Sequence, residues 1–144
     1  MGCSSDATQI PYYNTPDFTP IFLSDNQELK NTITHQISDF SFINQNNQII
    51  TNKEIEGKVH VANFMFTSCT SICPDMTGNM KLVEEAFFND ERVAVLSYSV
   101  TPWIDTPDKL LDYVKLNDIK TNNWHFLTGN KSDIYSLARE SYFA

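Results

Sequence analysis

The sequence predicts an α/β fold built on a parallel sheet, and three observations carry that prediction. Two nearly all-apolar runs, 58–66 and 92–100, are too short for buried helices and too apolar for strands with a wet face. Segments with apolar residues at helical spacing follow them. The resulting order, strand–helix–strand–helix–strand–helix, requires right-handed crossovers between parallel strands.

Taken in order, residues 1–34 form an N-terminal arm or tether, and residues 35–144 the domain. Pro11, Pro16 and Pro20 break any helix in the arm, which is expected to be free of regular structure from Ser4 to Pro20 and, with Tyr12, Tyr13, Phe18, Ile21, Phe22 and Leu23, to pack along the domain. From Asp39 the pattern alternates, with Phe40 and Phe42 on one face. Gln45-Asn46-Asn47 turns the chain and Ile49-Ile50 returns it, making a hairpin. Lys58–Phe66 then reads as a central strand covered on both faces. Pro74 suits the first position of a helix, with Cys73 as its cap, and Met76, Met80, Val83 and Phe87 form the inner stripe of a helix to about Phe88. Arg92–Val100 is a second buried strand. Asp105-Thr106-Pro107 opens a helix with Leu110, Leu111 and Val114 inward. Trp124–Leu127 is a short strand, and Lys131–Phe143 a last helix with Ile134, Leu137 and Ala138 inward.

A chain of 144 residues with 41% hydrophobic and 19% charged residues is globular and large enough to bury its own core. The net charge of -8, with no Lys/Arg cluster, argues against nucleic acid as a partner. No apolar stretch approaches the ~20 residues that span a bilayer. Four glycines and no Gly-rich loop leave no phosphate cradle.

Three cysteines concentrate the chemistry. Cys3, in Met1-Gly2-Cys3-Ser4-Ser5, has the surroundings of the lipid-carrying first residue of a mature bacterial lipoprotein, which predicts attachment to a membrane through a lipid on Cys3. Cys69 and Cys73 stand with three residues between them, between a strand end and a helix start, where chemistry collects in open α/β sheets. The helix N-terminus is expected to stabilise a thiolate at Cys73. Thiolates bind soft metals and attack disulfides, so the pair fits either a metal site or a redox couple. A structural zinc site lacks the second Cys/His pair that would close four ligands.

The segment Phe64-Met65-Phe66-Thr67-Ser68-Cys69-Thr70-Ser71-Ile72-Cys73-Pro74-Asp75-Met76 closely resembles the F-x-F-T-x-C-x-x-x-C-P-x-M signature of the Sco/SenC family. Ser97–Asp105 with Thr106-Pro107 resembles its S-V-D-P-x-x-D-T-P segment, with Thr101 in place of the commoner Asp. Trp124–Gly129 resembles its W-x-F-L-T-G strand, and Phe40–Gln45 its opening hairpin. The resemblance covers about residues 35 to 144. It implies a thioredoxin-like three-layer sandwich with an added N-terminal β-hairpin, whose C-terminal hairpin and helix are missing from this chain. It also implies a copper metallochaperone of the bacterial cell envelope, on the extracytoplasmic face of the membrane. The implied task is to help assemble the copper centre of cytochrome c oxidase. The implied partner is the copper-bearing subunit of that enzyme or another copper protein.

By this resemblance Cys69 and Cys73 are copper ligands for Cu(I), and also for Cu(II), with a histidine expected beyond Ala144 as the third. The alternative is a thiol–disulfide oxidoreductase in which Cys69 and Cys73 act on a partner's cysteines without metal. None of His35, His60 and His125 matches the family's histidine. His35 reads as a surface or packing residue, His60 stands a strand's length from Cys69, and His125 reads as a half-buried strand residue. Met76 reads as core, and Asp75 as part of an acidic first helical turn. For a 58–66 strand paired on one side by 92–100, the other edge is expected to need cover from a hairpin or a partner.

Overall fold

In the computed structural model, which describes residues 9–24, 26–120 and 122–144, the alternating segment folds as a hairpin. Its strands β1 (Ser41–Asn44) and β2 (Ile49–Thr51) pair antiparallel with Phe42 opposite Ile50. Both of those residues are buried, while Ile49 faces out. The Asn44 side-chain oxygen accepts the N–H groups of Asn46 and Gln48, and Asn47 takes the left-handed conformation (φ 58°) that asparagine tolerates.

Three parallel strands follow: β3 (Val59–Met65), β4 (Val93–Ser99) and β5 (Trp124–Thr128). β4 lies between β3 and β5, and β5 takes β1 on its other side, antiparallel, so the sheet order is β2-β1-β5-β4-β3. Every residue of β4 is buried, as its apolar composition requires. The crossovers are α2 (Cys73–Ala86) and α3 (Pro107–Leu116). Thr106 caps α3 by accepting from the Lys109 N–H, and Pro107 starts the helix where its missing N–H costs nothing. The last helix, α4 (Lys131–Ser136), is capped by Asn130 and runs into a π-helical turn at Leu137–Ser141.

One sheet face forms a core with both crossover helices. Met65, Val95, Trp124 and Phe126 pack with Cys73, Leu110, Val114 and Ile119, and Phe66, Cys69, Met80 and Tyr113 close its rim. On the opposite face Tyr98 meets the rings of Phe40, Phe42 and Phe64.

The structure corrects several sequence expectations. β3 has the open edge expected of a strand paired only by the 92–100 strand, but its faces are less covered than expected. Among the described strands it pairs with β4 alone, and only Met65 is buried, while Val59 is 70% exposed. α2 is rotated from its predicted stripe: Cys73, Thr77 and Glu84 are its buried residues, Met76, Met80 and Val83 are half-buried, and Phe87 lies exposed beyond the helix end. Cys73 is the first residue of that helix rather than its cap, which is Ile72. The final helix is shorter than predicted, because the i→i+4 pattern gives way to the π turn after Ser136. The prolines do not keep every helix out of the arm. It carries a short helix, α1 (Asn26–Thr32), in a stretch that follows its last proline.

Contacts divide the chain into two units, residues 39–137 and a second unit that gathers residues up to 38 with 138–144. In the second unit Tyr12 and Ile21 form a β-bridge, His35 Nε2 lies 2.7 Å from the Ser141 carbonyl oxygen, and the His35 ring stacks on Phe143. Among the described residues no helix is long and apolar enough to cross a membrane.

Candidate functional site: the thiol pair between β3 and α2

The parallel strands β3 and β4 end side by side, with Met65 opposite Ser99. From the end of β3 the chain makes a turn closed by the Cys69 N–H on the Phe66 carbonyl at 3.2 Å, then enters α2 at Cys73. Both thiols are free; Cys69 is half-buried and Cys73 buried. They are hydrogen-bonded to one another, the Cys73 S–H serving Cys69. Sulfurs in that contact are within reach of a disulfide or of one shared ion.

The two thiols are not equivalent. The Cys73 thiol, the N–H groups of Ser71 and Cys73, and that of Ile72 hold Cys69 below the ordinary thiol value. Burial pushes Cys73 up, and the bond it donates to Cys69 adds to that, while the Phe66 N–H on its sulfur opposes it. The expectation of a favoured thiolate at Cys73 is therefore reversed. Cys73 turns its sulfur into the core from the first helical position, and the sulfur that collects the N–H groups around the start of α2 belongs to Cys69.

Two residues at this site were not singled out by the sequence. Tyr113 packs from α3 onto the same rim as Cys69. Its hydroxyl shares a 2.6 Å hydrogen bond with Thr77, one helical turn after Cys73, and burial, with the nearby cysteines adding to it, raises the phenol. The signal was its spacing beside Leu110 and Val114 on the inner face of α3. Asp105 is fully buried beside the loop, with hydroxyl and N–H donors on its carboxylate. Its sequence signals were its place before a helix-opening Thr-Pro and its match to the second Asp of the S-V-D-P-x-x-D-T-P segment.

The remaining candidates stand elsewhere. His60 pairs with Ala94 near the start of β3, and His125 pairs with Leu96 in β5, where its Nδ1 lies 3.1 Å from Asn44 Nδ2. Burial lowers both imidazoles. Asp75 is exposed in the first turn of α2. Among the described residues no group of three or more His, Cys, Asp or Glu side chains could hold a metal, so the thiol pair supplies two donors of one kind. Cys3 lies outside the described residues.

A family model described as SCO1/SenC matches residues 27–144. The chain is similar to the SCO1 protein homolog of Bacillus subtilis (strain 168), with 32% identity over 120 residues that make up 82% of this chain and 62% of the relative. It thus spans less than two thirds of that relative's length. A SCO1/SenC family lipoprotein from Bacillus anthracis str. Ames superposes with TM-score 0.70 at 33% identity, covering 77% of this chain and 67% of the other. BsSco, described as a member of the Sco family of cytochrome c oxidase assembly proteins with a disulfide switch, gives TM-score 0.69 at 32% identity over 76% and 66%. Arabidopsis thaliana ScoI with copper bound gives 0.60 at 30% identity over 73% and 65%. These structures share the thioredoxin-like sheet and helices described above.

Proposed function

The chain belongs to the SCO1/SenC family, and from that premise we propose that it binds copper for the assembly of cytochrome c oxidase, with Cys69 and Cys73 as its ligands. The observation that carries this reading is the pair of free thiols brought together at the strand end, with Cys73 donating to Cys69. Their donor chemistry fits the cargo, since two adjacent thiolates are soft ligands for a soft Cu(I) ion. Ligation deprotonates both sulfurs. Cys69 is the easier to deprotonate and the more accessible, so it receives the ion, and the buried Cys73 closes on it. The recipient is a copper-bearing subunit of the oxidase or another copper protein.

A thiol–disulfide exchange is the second reading, favoured by the unequal thiols and by the disulfide switch ascribed to BsSco. In it Cys69 attacks a partner's disulfide and Cys73 resolves the mixed disulfide, leaving the partner with two thiols and this chain with one S–S bond. We further propose that Cys3 carries a lipid holding the domain at the extracytoplasmic face of the membrane, a reading supported by its sequence surroundings and by the Bacillus anthracis lipoprotein.

The test is Cu(I) titration of the reduced chain against a competing chelator. One equivalent is expected to bind the wild type and Cys3→Ser, and tight binding is expected to be lost in Cys69→Ser and Cys73→Ser. Full one-to-one binding by either of the latter overturns the two-thiolate site. For the anchor, the precursor is expected with membranes and its Cys3→Ser variant in the soluble fraction; a soluble wild type removes the lipid.

A further inference from the structure

Asp105 is completely buried just ahead of α3. A carboxylate in that position survives only where hydrogen bonds replace its lost hydration. Here four donors do so. Thr67 Oγ1 donates to Oδ1 at 2.5 Å, while the Thr67 N–H (3.3 Å), Ser99 Oγ (2.6 Å) and Thr101 Oγ1 (3.0 Å) donate to Oδ2. Ser99 is the last residue of β4 and Thr101 lies in the loop after it, whereas Thr67 follows β3. One carboxylate thus ties together the ends of two neighbouring parallel strands.

Thr67 also sits inside the turn that the Cys69 N–H closes on Phe66, and the Phe66 N–H reaches the Cys73 sulfur. Consecutive residues of a single turn therefore hold the buried thiol on one side and the buried carboxylate on the other. We propose that Asp105 is a positioning residue for the thiol pair, setting through Thr67 the turn from which Cys69 and Cys73 present their sulfurs. This rests on the reading of Cys69 and Cys73 as the working pair, and it adds a residue from another strand's loop that touches neither sulfur's ligand.

Thr67→Val replaces one hydroxyl on the carboxylate with a methyl group. Thr101→Val does the same from the far side, without touching the cysteine turn. Ser97→Ala is the control, since Ser97 is buried in a separate network with Asn63 and Trp124. Two constants are read for each variant: Cu(I) affinity, and the equilibrium with glutathione. In the latter Cys69 and Cys73 give two electrons and two protons to one oxidised glutathione, forming one S–S bond and two glutathione thiols.

Thr67→Val should shift both constants about tenfold, the worth of one hydrogen bond to a charged group. Thr101→Val should shift them in the same direction by about threefold, and Ser97→Ala by less than about twofold. Thr67→Ser, which keeps the hydroxyl, should restore wild-type values. If Thr67→Val and Thr101→Val lose stability but shift neither constant more than Ser97→Ala does, Asp105 merely holds the fold and the proposal fails, while copper binding by the wild type stands. If the wild type binds no Cu(I) yet the glutathione constant moves as expected, the copper reading fails and the positioning role stands.

Discussion

Gly129 occupies a position where even one added methyl group has nowhere to go. A Cβ built there lies 2.7 Å from Phe42 Cδ1, well inside van der Waals contact, and 3.5 Å from Cε1. The Phe42 ring cannot swing aside cheaply: it stacks on Phe40 at 5.7 Å, meets Tyr98 edge-on at 5.9 Å and is 3% exposed. Relief must come from an off-rotamer ring or from shifting the backbone just after β5, where Thr128 pairs with Ile43. Overpacking of this kind costs about 1–3 kcal/mol. Gly129→Ala is therefore expected to lower the thermal midpoint by about 3–10 °C for a chain of this size. Urea unfolding followed by circular dichroism measures the free-energy loss, and a thermal melt the shift in midpoint. The cycle with Phe42→Leu identifies the cause, because a smaller side chain at 42 should recover most of the Gly129→Ala loss. A loss below about 0.5 kcal/mol, or equal losses in both backgrounds, would refute the steric argument.

Three further outcomes follow from the titratable groups. Burial holds the Glu84 carboxyl above the usual carboxylate range, and its Oε1 has no partner among the described residues. The unfolded chain therefore releases this proton first as pH rises, and stability falls with pH; Glu84→Gln should stabilise at pH 8 by on the order of 1 kcal/mol and hardly at pH 4, whereas destabilisation at pH 8 would contradict this. His125 is displaced the opposite way, because burial holds its imidazole below the ordinary 6.5, with Glu54 partly opposing and Lys58 adding to it. The Asn44 oxygen is committed to two backbone N–H groups, so its Nδ2 faces His125 Nδ1 as a donor and disfavours the doubly protonated ring. Stability should thus be lost as pH falls below about 6.5 toward 5. His60 is lowered as well, so the double variant His60→Gln/His125→Gln should flatten that loss, and an unchanged slope would exclude these imidazoles as its source. Finally, iodoacetamide at neutral pH should label Cys69 at least about tenfold faster than Cys73, being the more exposed and more acidic thiol. Peptide mapping giving equal or reversed rates would overturn the assignment.

What the sequence made legible was what local pattern determines. Phe42 and Ile50 alternate with exposed neighbours, Pro107 and Thr106 mark a helix start, and β4 is apolar because both of its faces are covered. The Cys69–Cys73 spacing between a strand and a helix put both thiols at one strand end, where the structure has them. What stayed hidden depends on tertiary placement. β3 and β4 have similar compositions, yet β4 is buried throughout while only Met65 of β3 is. The rotation of α2, which buries Cys73 and Thr77, follows from how that helix meets β3 and α3, and it decides which thiol is the more acidic. Tyr113 and Asp105 reach the site from segments about 40 residues further along the chain, so no window around the cysteines contains them.

The central claim, that Cys69 and Cys73 together hold the copper, is tested most directly by copper K-edge X-ray absorption on the Cu(I)-loaded reduced chain. Two sulfur scatterers are expected in the wild type and one in whatever copper Cys69→Ser or Cys73→Ser retains. A wild-type spectrum with one sulfur or none, or one that either substitution leaves unchanged, would contradict the account.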